Sequence, residues 1–197
     1  MKKGVVLIGI LVLLLVVGGS LTSSYNGLVG KQTQVKTAFA EVDNLLQRRS
    51  DLVPNLVETV KGIAAQEQEV FGAVADARAR LAGAGSAQER IAAGQAMDTA
   101  LGRLLVVVEN YPELRSSENF LRLQDELAGT ENRLSVGRTR YNTVTGEYNA
   151  QVKRFPTTIL AGMFGFKAEP FYPVSESAKQ VPKVDFSGVR DTTKASH

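Results

Sequence analysis

Residues 120–155 read FLRLQDELAGTENRLSVGRTRYNTVTGEYNAQVKRF, and the spacing of their apolar and small residues decides the fold. Phe120, Leu123, Leu127, Thr130, Leu134, Gly137, Tyr141, Val144, Tyr148, Val152 and Phe155 recur at intervals of three or four, the period of one helix face. Threes and fours alternate through most of the run, as in the seam of a coiled coil. Ser116 or Ser117 supplies a cap-type start. Phe155-Pro156 supplies the stop, because a proline disfavours a helical residue before it. A helix of roughly 36 residues spans about 54 Å, long for a protein of 197 residues.

Upstream, shorter versions of the same pattern appear. Leu28, Val35, Phe39, Val42 and Leu46 form an amphipathic stripe in a segment that holds no proline through Arg49. Ser50-Asp51 followed by Pro54 reads as the start of a second helix, with cap residues before a proline suited to a first turn. Its stripe is Leu56, Val60, Ile63, Val70, Val74, Ala77 and Leu81, and Gly83-Ala84-Gly85 ends it in a turn. Ser86 and Glu89 have the spacing of a capping box for a third helix, which runs through Leu101, Leu104, Leu105 and Val108 to Tyr111-Pro112. Before residue 156 no strand pattern of comparable length occurs. The expected fold is all-α: an elongated antiparallel four-helix bundle over residues 22–156, with helices crossing at about 20°.

The amino end adds an anchor. Met1-Lys2-Lys3 precedes an uncharged apolar run, and residues 4–21 as a helix would span about 27 Å, close to the ~30 Å hydrocarbon core of a bilayer. A cleaved signal peptide shares this pattern, with Gly18-Gly19-Ser20 as small residues for cleavage. The proline-free continuation favours an uncleaved transmembrane helix, residues 1–21, running straight into the bundle. Lys2 and Lys3 on one flank, with no basic residue on the other before Lys31, place the amino terminus in the cytoplasm and the bundle outside it. Residues 157–197 form an extended tail rich in aromatics and proline. A disordered tail would be poor in aromatics, so this one is expected to dock on its own bundle or on a neighbouring subunit. Phe155 and Pro156 at its root, with Phe164, Phe166, Phe171 and Phe186, are the candidate contacts.

Composition removes most chemistry. There is no Cys, hence no disulfide, no thiolate nucleophile and no acylated lipoprotein anchor, and the single His is the terminal His197. A Ser-His-Asp triad and the Glu-x-x-His dimetal sites of helical bundles are therefore unavailable. The formal charge is +3, and Lys2 and Lys3 account for most of that surplus, so no nucleic-acid footprint is expected. Glu126 and Glu131 lie on different faces of one helix and do not form an opposed carboxylate pair. Gly162 and Gly165 lack the Lys-Ser/Thr of a phosphate loop. No cofactor, metal or catalytic residue is expected.

Three polar groups stand out where they interrupt the stripes. Asp51, Pro54 and Asn55 read as capping at the first junction. Glu131 and Asn132 beside Thr130 read as an internal hydrogen-bond cluster that fixes helix register. Arg48 and Arg49 suit the negative end of a helix dipole, and can pair with acidic residues such as Glu109 or Glu113 of an adjacent helix or chain. Glu109, Tyr111 and Pro112 mark the junction after the third helix.

These residues also carry a resemblance. Gln47-Arg48-Arg49-Ser50-Asp51-Leu52-Val53-Pro54-Asn55-Leu56-Val57-Glu58-Thr59-Val60-Lys61-Gly62 resembles a signature of the bacterial LemA family. The likeness continues at Val108-Glu109-Asn110-Tyr111-Pro112-Glu113-Leu114, Leu127-Ala128-Gly129-Thr130-Glu131-Asn132-Arg133, Arg140-Tyr141-Asn142, Tyr148-Asn149, Arg154-Phe155-Pro156, Phe164-Gly165-Phe166 and Val181-Pro182-Lys183-Val184-Asp185-Phe186. Gly62-Ile63-Ala64-Ala65 departs from it, where the family commonly has an aromatic residue and a His. The resemblance implies a single-pass protein of the bacterial inner membrane with a helical bundle and no established catalytic activity. It also implies accessory partners, such as a membrane zinc protease or another envelope protein. The expected function is a non-enzymatic, membrane-anchored scaffold or adaptor that self-assembles. The alternative is a sensor or ligand-binding module with a pocket near Phe120, Tyr141 and Tyr148, accessory to a membrane protease or a stress pathway.

Overall fold

The computed structural model describes residues 2–173. It is all-α, with no strand among the described residues. Phe186, the rest of the tail beyond residue 173, and the side chains of Lys2 and Lys3 on which the orientation rests lie outside the described residues. Among the described residues six helices follow in order: α1 Lys2–Lys61, α2 Gln68–Gly83, α3 Ala87–Glu109, α4 Pro112–Arg115, α5 Glu118–Lys153 and α6 Thr157–Phe164.

Helix α1 contains 60 residues, about 90 Å. The expected junction at Ser50-Asp51 and Pro54 does not exist: Pro54 lies inside α1, which continues another seven residues to Lys61. An interior proline costs about 3 kcal/mol through its missing hydrogen bond and ring clash. Against that stands the phase of the stripe. Leu46, Val53 and Val60 are seven apart and all buried, as are Arg49 and Leu56 between them. Burial of Val53, Leu56 and Val60 contributes about 1.5–3 kcal/mol each, and a break at Pro54 would lose that register. The chain turns at Gly62 instead, where Ala64 N–H still bonds to Val60 O at 2.8 Å and the Ala64 side chain enters the core.

The ion pairs 31/147, 41/140 and 49/131, and the approach of Gln151 to Gly27, join α1 to α5, one index rising as the other falls, so the two long helices are antiparallel. The pairs 43/90, 46/94 and 49/98 rise together, so α1 and α3 are parallel. Helix α2 runs back from the remote tip, packs mainly on α3 and is joined to it by a short turn. The expected capping box is present: Glu89 N–H donates to Ser86 Oγ at 3.2 Å, and Ser86 N–H to Glu89 Oε2 at 3.1 Å.

The core has two clusters stacked along the bundle, each drawing on α1, α2, α3 and α5. One holds Val53, Leu56, Val60, Phe71, Val74, Leu101, Leu104, Phe120 and Leu127 at the end remote from the amino terminus. The other holds Leu28, Val35, Val42, Leu46, Leu81, Ile91, Leu134, Tyr141 and Tyr148, nearer the amino-terminal run. Residues from Leu7 to Val17 of α1 are bare and apolar, as a membrane-spanning helix is without its lipid. Helix α3 is also long and apolar enough to cross a bilayer, but it buries Ile91, Met97, Leu101 and Leu104 in the bundle core.

Helix α5 stops at Lys153, two residues before Phe155, the expected end of the seam. Phe155 is 76% exposed. The described part of the tail, residues 157–173, takes the first of the two expected seats, its own bundle. Helix α6 packs against α1 through Tyr25, whose ring meets Phe164 at 4.9 Å and Phe166 at 5.7 Å. Gly165 ends α6 in the left-handed conformation, φ 76°. From Lys167 the chain runs extended along α5.

Candidate functional site

Between the two apolar clusters lies a layer of charge. Arg49 of α1, 8% exposed, donates from Nη1 to Asp98 Oδ1 of α3 at 2.8 Å and to Glu131 Oε2 of α5. Arg138, two turns beyond Glu131 on α5, donates from Nη2 to Asp98 Oδ2 at 2.8 Å and from Nη1 to Glu131 Oε1 at 3.4 Å. Two guanidinium groups and two carboxylates thus form a closed, charge-neutral set joining three helices. Burial raises the Asp98 carboxyl above its ordinary value, against the lowering pull of the Arg138 and Arg49 charges. Glu131 is the more open carboxylate, with 42% of its side chain exposed. Such a network is weak evidence for stability, because desolvation offsets attraction. It fixes register, because any slip of one helix strands a charge.

The strap after α6 locks onto the same end of the layer. Asn149 donates to Glu169 O at 2.9 Å and accepts from Glu169 N–H at 2.8 Å. Asn142 donates to Tyr172 O and accepts from Tyr172 N–H, both at 2.8 Å. The two asparagines are seven apart on α5, about 10 Å, which matches three residues of extended chain. Tyr141 adds a bond from its hydroxyl to Pro170 O at 2.6 Å. Tyr172 then enters the core beneath the Arg138 guanidinium, 4.5 Å from its ring centroid, and burial pushes its phenol up to about 12. A Cβ on Gly94 would lie 2.6 Å from the Tyr172 hydroxyl and 2.9 Å from Leu46, so only glycine lets α3 approach.

Of the expected polar groups, Arg49 and Glu131 meet in this network. Their fellows do not. Arg48 and Asn132 are exposed, and Glu109 and Glu113 lie on the exposed surface around the end of α3; within the chain Arg49 pairs with Asp98 and Glu131 rather than with either of them. Asp51 and Asn55 cap nothing, since no helix begins there. Asp51 accepts from Gln47 one turn earlier, and Asn55 offers its carbonyl to Thr59. Tyr111 ties the remote tip together: its hydroxyl accepts from Gln66 Nε2 at 2.7 Å and donates to Glu67 Oε1 at 3.2 Å, joining the α1–α2 turn to the α3–α4 junction. Pro112 opens α4. Phe171 stays half-exposed beside Gly146.

Phe120, Tyr141 and Tyr148, expected around one pocket, do not come together. Phe120 packs in the remote cluster, while both tyrosines are buried in the other cluster. Among the described residues, no group of three or more His, Asp or Glu could hold a metal ion. Asp98, Arg138, Asn142, Asn149 and Tyr172 carry the site without having been singled out for these roles from sequence. The usable signal was a second heptad step beside the apolar seam: Glu131 to Arg138, and Asn142 to Asn149.

A helical bundle built onto a bare apolar helix, with a buried ionic layer, is the architecture of a membrane-anchored all-α protein. The chain belongs to the LemA family, whose model matches residues 38–186. It is also similar to the magnetosome proteins MamQ 2 and MamQ 1 of Paramagnetospirillum magneticum, each 30% identical over 181 residues covering 78% of this chain and 66% of the relative. The MamQ of Magnetospirillum gryphiswaldense is 27% identical over 179 residues, with the same coverage. The chain therefore spans just under two thirds of the length of these curated relatives. Neither the family description nor the relatives' names state a reaction.

Proposed function

We propose that this protein is a non-enzymatic, membrane-anchored scaffold that self-assembles and presents its bundle to envelope or membrane partners. The supporting observation is the unbroken helix α1. One end is a bare apolar span and the other is built into both core clusters, so anchor and bundle move as one rod. The division is an anchor over residues 1–21, a bundle over 22–156 and a tail over 157–197. The membrane is the inner membrane of a bacterium, crossed once, with the amino terminus cytoplasmic and the bundle outside. Anchors confined to one bilayer raise the effective concentration of identical bundles, so a modest contact suffices for assembly. A membrane zinc protease or another envelope protein is the partner class that the family resemblance brings.

Light scattering on the full chain in detergent, with the micelle contribution subtracted, tests the assembly. The expected particle holds several copies across a tenfold range of protein concentration. A single-chain mass over that whole range would overturn self-assembly.

A further inference from the structure

Helix α6 is apolar all round. Its sequence, TTILAGMF, contains no charge, and its polar side chains are the two threonines at its start. Thr157, Leu160 and Ala161 face the bundle and are buried. The opposite side presents Ile159 at 54% exposure and Met163 at 73%. A helix with apolar groups on both sides is covered by something on both sides.

Its position identifies the cover. Ile159, Met163 and Phe164 line a groove with Leu21 and Tyr25 of α1. Leu21 is the last apolar residue of the expected span, and Tyr25 is one turn, about 6 Å, beyond it. Tyrosine at that height is a common feature of the membrane–water interface. The exposed face of α6 is thus continuous with the lipid-facing surface of the anchor. Charge agrees: residues 148–168 contain no Asp or Glu, and the exposed Lys153, Arg154 and Lys167 flank α6 at its two ends. An apolar face bordered by cations is the pattern of a helix lying in an anionic bilayer surface.

We propose that α6 is a second membrane contact: it lies in the interface of the bilayer that α1 crosses, with Ile159 and Met163 among the acyl chains and Lys153, Arg154 and Lys167 at anionic headgroups. Together with α1 it gives the bundle two points of support and so a fixed tilt. The inference rests on the membrane-anchored reading.

The chain has no Cys, so single cysteines can carry spin labels on the full-length protein. The labelled positions are Met163→Cys, Val12→Cys in the anchor, and the exposed Val136→Cys, about 30 Å along the bundle. Vesicles of phosphatidylethanolamine and phosphatidylglycerol supply the membrane, with helix content checked by circular dichroism. The Met163→Cys label is expected to collide with oxygen several-fold more than with a water-soluble nickel chelate, relative to the Val136→Cys label. A combined Lys153→Glu, Arg154→Glu and Lys167→Glu variant should shift it outward. If the Val12→Cys label is membrane-embedded while the Met163→Cys label matches Val136→Cys, the inference is overturned and the anchor stands. If Val12→Cys is itself aqueous, both fall. A Met163→Cys label shielded from both reagents would identify a second copy as the cover and overturn the lipid contact.

Discussion

At the scale of single residues, the closest packing lies where the strap meets α3, at Gly94 against Tyr172 and Leu46. Gly94→Ala gains about 1 kcal/mol in helix propensity but forces Tyr172 and Leu46 apart, and overpacking typically costs about 1–3 kcal/mol. A net loss of about 1 kcal/mol is expected in urea unfolding. It should shrink when Tyr172→Phe is added, because the hydroxyl that meets the new methyl is gone. Arg49→Ala leaves Asp98 with Arg138 alone. The loss is expected to be about 3 kcal/mol, at the lower end for a broken buried pair because Glu131 is partly solvated. Arg49 and Glu131 were legible in the sequence as polar groups interrupting apolar stripes. Asp98 was not: it lies between Met97 and Thr99 on a helix with no local irregularity, and only the pairing of α3 with α1 and α5 gives it a role. Asn132 misled because adjacent residues on a helix point different ways, so a neighbour of Glu131 need not share its surroundings.

At the scale of elements, the long seam of α5, the start of α3 and its capping box were readable because each depends on residues a few positions apart. The end of α1 was not. A proline after Ser50-Asp51 has the local signature of a helix start, but the seven-residue phase from Leu46 through Val53 to Val60 runs across it, and tertiary burial wins over local preference. Pro54→Ala should therefore stabilise the protein by about 2 kcal/mol, as an interior N–H is restored and part of the unfolded-state restriction is lost. Thermal unfolding reads this directly. A loss of stability instead would show that Pro54 shapes the helix locally. The capping box gives a pH signature. Hydrogen bonds from Gly85 and Ser86 N–H hold the Glu89 carboxyl below its ordinary 4.5. A lowered folded-state value stabilises the protein above the unfolded value, and that contribution disappears as pH falls through the folded one. The Tm advantage of the wild type over Glu89→Gln should be present at pH 7 and vanish as pH falls below the ordinary carboxylate range.

At the scale of the molecule, one helix carries the structure from the lipid to the remote tip. The anchor and the all-α class were legible from the apolar run and the stripes, because both are properties of long windows. The seat of residues 157–173 was not, because their aromatics say only that they dock. Their place on α5 is set by two asparagines whose backbone partners lie 20 and 30 residues away. That seat also bears on assembly: with residues 167–173 strapped to their own bundle, contacts between copies are expected from the exposed helix faces of the bundle. Chemical crosslinking with mass spectrometry on the full-length protein in its native membrane tests this most directly. Self-assembling scaffolds predict links that join two copies of the same peptide, together with intrachain links between α1 and α5 at 31/147-type spacing. Intrachain links alone, at a protein density where neighbouring membrane proteins are captured, would contradict it.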